Sequence, residues 1–118
     1  MTDNAGKTPP EHLSEASATW WASVVADWDL EPHHIHLLTL AAEARDRAEQ
    51  ARLMIARDGL LVETVTGGTK THPAVAVERD SRIAFARLLR ELDLDVETPS
   101  ADRSRPPALK SNRPGWRN

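Results

Sequence analysis

Between Pro32 and Gly59 the chain runs for 26 residues without a proline or a glycine. No other feature limits the fold so strongly. At 100° per residue, Leu37, Leu40, Ala41, Ala44, Ala48, Ala51 and Ile55 fall on one narrow stripe. Pro32 suits a first helical turn, where its missing N–H is not needed. Gly59 stands where a left-handed C-terminal cap is expected. The pattern predicts one long helix from Pro32 to about Asp58. Its alanines have little bulk, so another helix can approach closely along the stripe, as in an antiparallel hairpin or bundle. Glu43 and Arg47 are placed for an i,i+4 pair on a solvated flank, and Leu53 and Met54 lie off the stripe as a candidate second packing surface.

Two further helices flank this one. Ser14 is placed to cap a helix over which Leu13, Ser17, Trp20, Trp21, Val24, Val25 and Trp28 share a face. Indoles bury on the order of 200 Å² each, so three of them on a short helix anchor a core or a subunit contact. Asp29-Leu30-Glu31-Pro32 ends that helix. After Gly59, the β-branched run Leu60–Val65 faces Thr69-Lys70-Thr71 across Gly67-Gly68, which reads as a small β-hairpin. A hairpin alone is marginal and must pack on the helices or on a neighbouring subunit. A third helix is predicted from Pro73 to about Leu92, with Val77, Ala84, Phe85, Leu88, Leu89 and Leu92 on its core face. The fold class is thus mainly α, about three helices with one small β-hairpin. Residues 1–12 read as a disordered lead-in, 13–98 as the domain, and 99–118 as a flexible basic tail.

A chain of 118 residues fits one domain and buries a modest core, so oligomerisation is a natural source of further stability. The absence of cysteine excludes disulfides, a thiol nucleophile and a thiolate zinc site, and suits an intracellular protein. No apolar run reaches the roughly 18–20 residues that span a bilayer, and no membrane partner is expected. The net charge of −3 is unevenly divided. Residues 1–98 hold 10 basic and 17 acidic side chains, whereas residues 99–118 hold five basic ones and a single acid. An acidic body with a basic end suits a polyanionic partner; a solubilising tail has the same composition.

Three stretches invite a chemical reading. Gly67-Gly68-Thr69-Lys70-Thr71 lacks the Walker order, because Gly does not precede Lys70 and Glu63 occupies the place of the earlier glycine. His72 precedes Pro73, so its backbone is extended, as an N-cap requires; no nucleophile that it could activate is evident. Capping or packing is its expected role. His33, His34 and His36 sit in the first turn of a helix, where the dipole disfavours a cation, and no further ligand set completes a metal site. They read as a surface or interface cluster with some sensitivity to pH near neutral. No catalytic residue, metal or cofactor is assigned.

The third helix carries Arg79, Arg82, Arg87 and Arg90 opposite its core face. Guanidinium forks match phosphate oxygens, so such a row can track a DNA backbone. Glu78 with Arg82 and Glu91 with Arg87 have i,i+4 spacing, so a solvated or intersubunit charged face fits equally.

The order of these motifs resembles the small terminase subunits of tailed bacteriophages, in particular the P27-type family. The residues that carry the resemblance are Leu13-Ser14 with Trp20 or Trp21, the Ala-rich helix with Arg47 and Ala51, and Gly59-Leu60. They continue through Val62, Gly67-Gly68, His72-Pro73-Ala74 and the closing Arg87-Leu88-Leu89-Arg90-Glu91-Leu92-Asp93-Leu94, covering about residues 13–95. The family often closes the last helix with Leu-Gly-Leu, where this chain has Leu92-Asp93-Leu94, and a compact arginine segment commonly follows sooner than Arg103.

The resemblance implies a non-enzymatic homo-oligomeric ring in the cytoplasm of a bacterial host. Such a ring binds double-stranded viral DNA at the packaging site and delivers it to the large terminase subunit, which holds the ATPase and nuclease. Expected DNA contacts are Arg79, Arg82, Arg87 and Arg90 on the helix, with Arg103, Arg105, Lys110 and Arg113 in the tail. Subunit repetition would turn weak phosphate contacts into avidity. No helix-turn-helix with a recognition helix is visible, which leaves DNA shape or bending as a route to the site. Two other classes fit parts of the pattern: a helical adaptor acting through protein contacts without DNA, and a minimal hydrolase using His72 or the His33–His36 group.

Overall fold

A computed structural model describes residues 8–94. Three helices, α1 (Glu15–Asp27), α2 (Pro32–Asp58) and α3 (Ala74–Leu92), enclose one antiparallel hairpin of β1 (Leu61–Glu63) and β2 (Thr69–Thr71). At 1.5 Å per residue α2 is about 40 Å long and α1 about 20 Å. α2 and α3 pack along their lengths as one layer, and α1 lies against α2. The mainly helical class with one small hairpin is what the sequence predicts.

Local signals account for the element ends. Ser14 caps α1, its hydroxyl accepting from the Ser17 N–H at 3.1 Å. Pro32 opens α2, and the Glu31 N–H donates to His34 Nδ1 at 3.1 Å. Gly59 ends α2 at φ 90°, ψ 168°, a glycine-only region rather than the left-handed helical geometry expected of it. Extended ψ sends the chain directly into β1, whereas a left-handed cap would curl it back. The strands pair Leu61 with Thr71 and Glu63 with Thr69, so the turn consumes Thr64–Gly68 and the predicted run to Val65 stops two residues early. Inside the turn the Gly68 N–H donates to Thr64 Oγ1 at 3.1 Å, and Val65 points wholly into solvent. α3 closes on Asp93, the one non-glycine described residue with positive φ (55°, ψ 44°), whose N–H donates to the Leu89 carbonyl at 3.0 Å. An aspartate here fills the left-handed position usually given to glycine.

The core sits at one end of the layer. Leu13, Trp21, Val24 and Val25 bury against Leu38 and Ala42 of α2 and Leu92 of α3, with Trp20, Trp28, Leu30, Ile35 and Leu94 packed round them. The α1 face agrees with the heptad-like reading of the sequence. The single stripe assigned to α2 does not: Leu38 is wholly buried, whereas Leu40 is exposed. The reason is that α2 has partners on two sides. Ala41, Ala44, Ala48 and Ala51 occupy one arc, while Leu38 and Ala42 lie on the adjoining arc that meets α1. On α3, Val77 is exposed although it shares the core face, because α1 is too short to cover that end.

A polar network fastens α1 to α2. Asp46 accepts from the Ser14 N–H (2.7 Å), the Ser14 hydroxyl (2.5 Å) and the Ser17 hydroxyl (2.6 Å), while Arg45 Nη1 donates to Ser17 Oγ at 3.1 Å. Ser17 is fully buried. Burial alone raises the Asp46 carboxyl, but the hydrogen bonds from Ser14 and Ser17, with Arg45 beside them, outweigh it and hold the pKa below the usual aspartate value. Glu43 is also drawn away from its expected partner: it pairs with His12 Nε2 at 2.7 Å, and Arg47 donates to Gln50 at 2.7 Å.

Candidate nucleic-acid interface

The predicted row on α3 is exposed throughout: Arg79, Arg82, Arg87 and Arg90 all face solvent. The helical period places them there because Ala74, Leu88 and Leu92 turn the other side inward. Their electrostatic surroundings differ. Arg79 meets its neighbour Asp80 at 3.1 Å, and Arg82 reaches Glu78 at 3.9 Å, both pairs in water where they bind weakly. The expected Arg87–Glu91 pair does not form, and neither Arg87 nor Arg90 makes an ion pair with a described residue. Two free guanidinium forks on one flank suit an external oxyanion. Arg103, Arg105, Lys110 and Arg113 lie outside the described residues.

A groove of about 720 Å³ opens where α1 begins, between α2 and α3. Phe85 forms part of its lining, and Arg45, Arg52 and Arg82 alternate round it with Asp46, Glu49 and Glu78. Phe85 also meets the Trp20 ring at a centroid separation of 5.5 Å. Arg52 forks onto Glu49 through two bonds of 3.0 and 2.7 Å. The sequence reading missed Arg45 and Arg52, although their i,i+7 spacing puts both on one face of α2. What hid them was the position of α1, whose end defines the groove.

His72 is placed as a structural residue. It is 6% exposed, its Nδ1 accepts from the Ala74 N–H at 3.0 Å, and its carbonyl accepts from the Val75 N–H. Because Nδ1 is occupied as an acceptor, the ring proton sits on Nε2 and is donated to Asp58 Oδ2 at 2.9 Å. Asp58 in turn holds Arg57, and first that guanidinium, then His72, pull its carboxyl far below the usual range. The ring thus caps α3 and clips it to the end of α2, as the His-Pro step leads one to expect. His33 and His34 lie ring to ring at 4.1 Å, with His34 engaged at the start of α2. Among the described residues no group of three or more His, Asp or Glu side chains is placed to hold a metal ion. No helix among the described residues is long and apolar enough to cross a membrane.

No curated protein and no solved structure matches the chain. A family model does. It covers residues 18–110, taking in α1 from Ala18, the α2–α3 layer with its arginine row, the hairpin, and the sequence as far as Lys110. The span includes Arg103, Arg105 and Lys110 but leaves out Arg113. The model is that of the phage terminase small subunit, and by this match the chain belongs to that family.

Proposed function

We propose that the chain is a non-catalytic DNA-handling subunit of phage genome packaging. It assembles as a homo-oligomeric ring in the cytoplasm of a bacterial host and binds double-stranded viral DNA at the packaging site. It then brings that DNA to the large terminase subunit, which supplies the ATPase and nuclease. Family membership supports the role, and one observation supports the DNA face: Arg87 and Arg90 stand on the exposed side of α3 with no internal carboxylate to neutralise them, in line with Arg79 and Arg82. The mechanism is phosphate neutralisation by the four helix arginines, extended by Arg103, Arg105, Lys110 and Arg113, with subunit repetition adding weak contacts into avidity.

Titration of duplex DNA over a range of salt tests this reading. Four phosphates neutralised per site give a log–log slope near −3.6 and a loss of affinity on the order of 100-fold for a fourfold rise in salt. Replacing Arg87 and Arg90 by Ala should make the slope shallower by about 0.9 for each contact removed, with the mass of the assembly unchanged. Binding that ignores salt, or a slope untouched by both substitutions, rejects this DNA face. Large-subunit capture that persists without any DNA affinity would favour an adaptor acting through protein contacts alone.

A further inference from the structure

The α2–α3 layer has two unfilled surfaces, and they face opposite ways. On the side of α1, the layer continues past Ser14 as the groove floored by Phe85 and rimmed by Arg45, Arg52 and Arg82. On the side of α2 away from α1 runs an outer ridge of Leu40, Arg47 and Met54, spaced seven residues apart, with both apolar members exposed. Leu40 is nine residues from Glu49 of the groove, and Met54 nine from Arg45, which is half a turn in each case. We propose that the outer ridge of one copy seats in the groove of the next, so that identical subunits join head to tail. The proposal rests on the ring reading above and names the surfaces that build it.

Three features favour a second copy as the occupant. The first is geometry. A groove and a ridge on opposite faces cannot satisfy each other by a two-fold pairing, since each would meet its own like; a head-to-tail contact satisfies both and leaves the same pair open for the next subunit. The second is composition. Leu40, Leu53, Met54, Leu61, Val77 and Ile83 all stand exposed on or beside the layer. Monomers seldom leave apolar patches beyond a few hundred Å², and a specific interface draws roughly 800 Å² from each partner. The groove has an aromatic floor, small Ala16 and Ala48 walls, and a rim of mixed sign, the character of a protein interface. Each groove arginine already has a carboxylate beside it, which disfavours a nucleic-acid strand there. The third is charge. Residues 8–44, which carry the proximal half of the ridge, contain six carboxylates and no lysine or arginine, opposite the three groove arginines.

The native chain has no cysteine, so engineered thiols report unambiguously. Glu49→Cys places a thiol in the groove and Met54→Cys one on the ridge. These positions lie 140° apart on one helix, too far round for an internal bridge. Under mild oxidation of the full-length chain, each single variant should stay uncrosslinked, a mixture of the two should give covalent dimers, and the double variant a ladder of multimers. Leu40→Glu with Met54→Glu, folded by circular dichroism, should lower the mass of the assembly to that of a monomer. Covalent dimers from Met54→Cys alone would overturn the proposal in favour of a two-fold contact. An assembly that survives the double glutamate variant and yields no ladder would overturn the surface assignment while leaving the ring reading intact. A wild-type chain monomeric at every concentration tested would overturn both.

Discussion

Replacing Asp46 by Ala should cost the fold about 2–3 kcal/mol, although the carboxylate lies in no catalytic or DNA-contacting position. The magnitude follows from its bonds. The Ser17 hydroxyl is fully buried and loses its only acceptor, a penalty of about 1–3 kcal/mol. Arg45 still donates to that oxygen, which keeps the loss toward the lower half of the range. At the surface, the Ser14 N–H and the opening turn of α1 lose a carboxylate facing the positive helix end, about 0.3–1 kcal/mol more. For a domain this size each kcal/mol lowers Tm by roughly 4–8 °C, so a fall of about 8–16 °C is expected at matched protein concentration. The sign with pH can be worked out as well. The folded pKa of Asp46 is depressed, so its contribution is fully present above the unfolded value near 4 and is lost as pH falls through the lower folded value. Wild type and Asp46→Ala should therefore differ by a constant amount from pH 5 to 8, and the gap should narrow below about pH 4. Thermal melts followed by circular dichroism measure both. A shift under 2 °C at pH 7 would refute the view that this network fastens α1.

Two shorter expectations test the other junctions. His72→Ala leaves the Ala74 N–H and the Asp58 carboxylate without the ring, and should cost about 1–2 kcal/mol in denaturant melts, while His72→Asn, a good cap, should recover part of it. Asp93→Gly removes the left-handed strain at the end of α3 and should stabilise by about 0.5–1 kcal/mol; a loss of stability would mean that the Asp93 side chain has a role of its own.

The element plan was legible because its punctuation is local. Ser14, Pro32, Gly59, Gly67 and His72-Pro73 each constrain only the few bonds around them, and each marks the boundary it suggests. The packing was less legible, because periodicity tells that a face is apolar but not how many neighbours it meets. Leu38 went unrecognised for that reason: α2 is shared between two helices, and one stripe cannot describe two contacts. The Ser17–Asp46 bond joins residues 29 apart and carries no sequence signature. The arginine row on α3 was readable from spacing alone, whereas Arg45 and Arg52 gain their setting only when α1 stops beside them. Val65 shows the opposite error, a strand residue by propensity that the five-residue turn claims for solvent.

Fastening α1 near Asp46 leaves the far part of α2 as an outrigger. The twelve residues from Asp46 to Asp58 carry the hairpin about 18 Å beyond that anchorage, braced only by α3 and the His72 clip. A tilt of about 10° there swings the tip by roughly 3 Å without disturbing a single tryptophan. Neighbouring molecules gripping the two ends thus need not agree on one angle, and a closed circle of copies gains mechanical tolerance when a thick, charged cylinder is threaded through or wound about it.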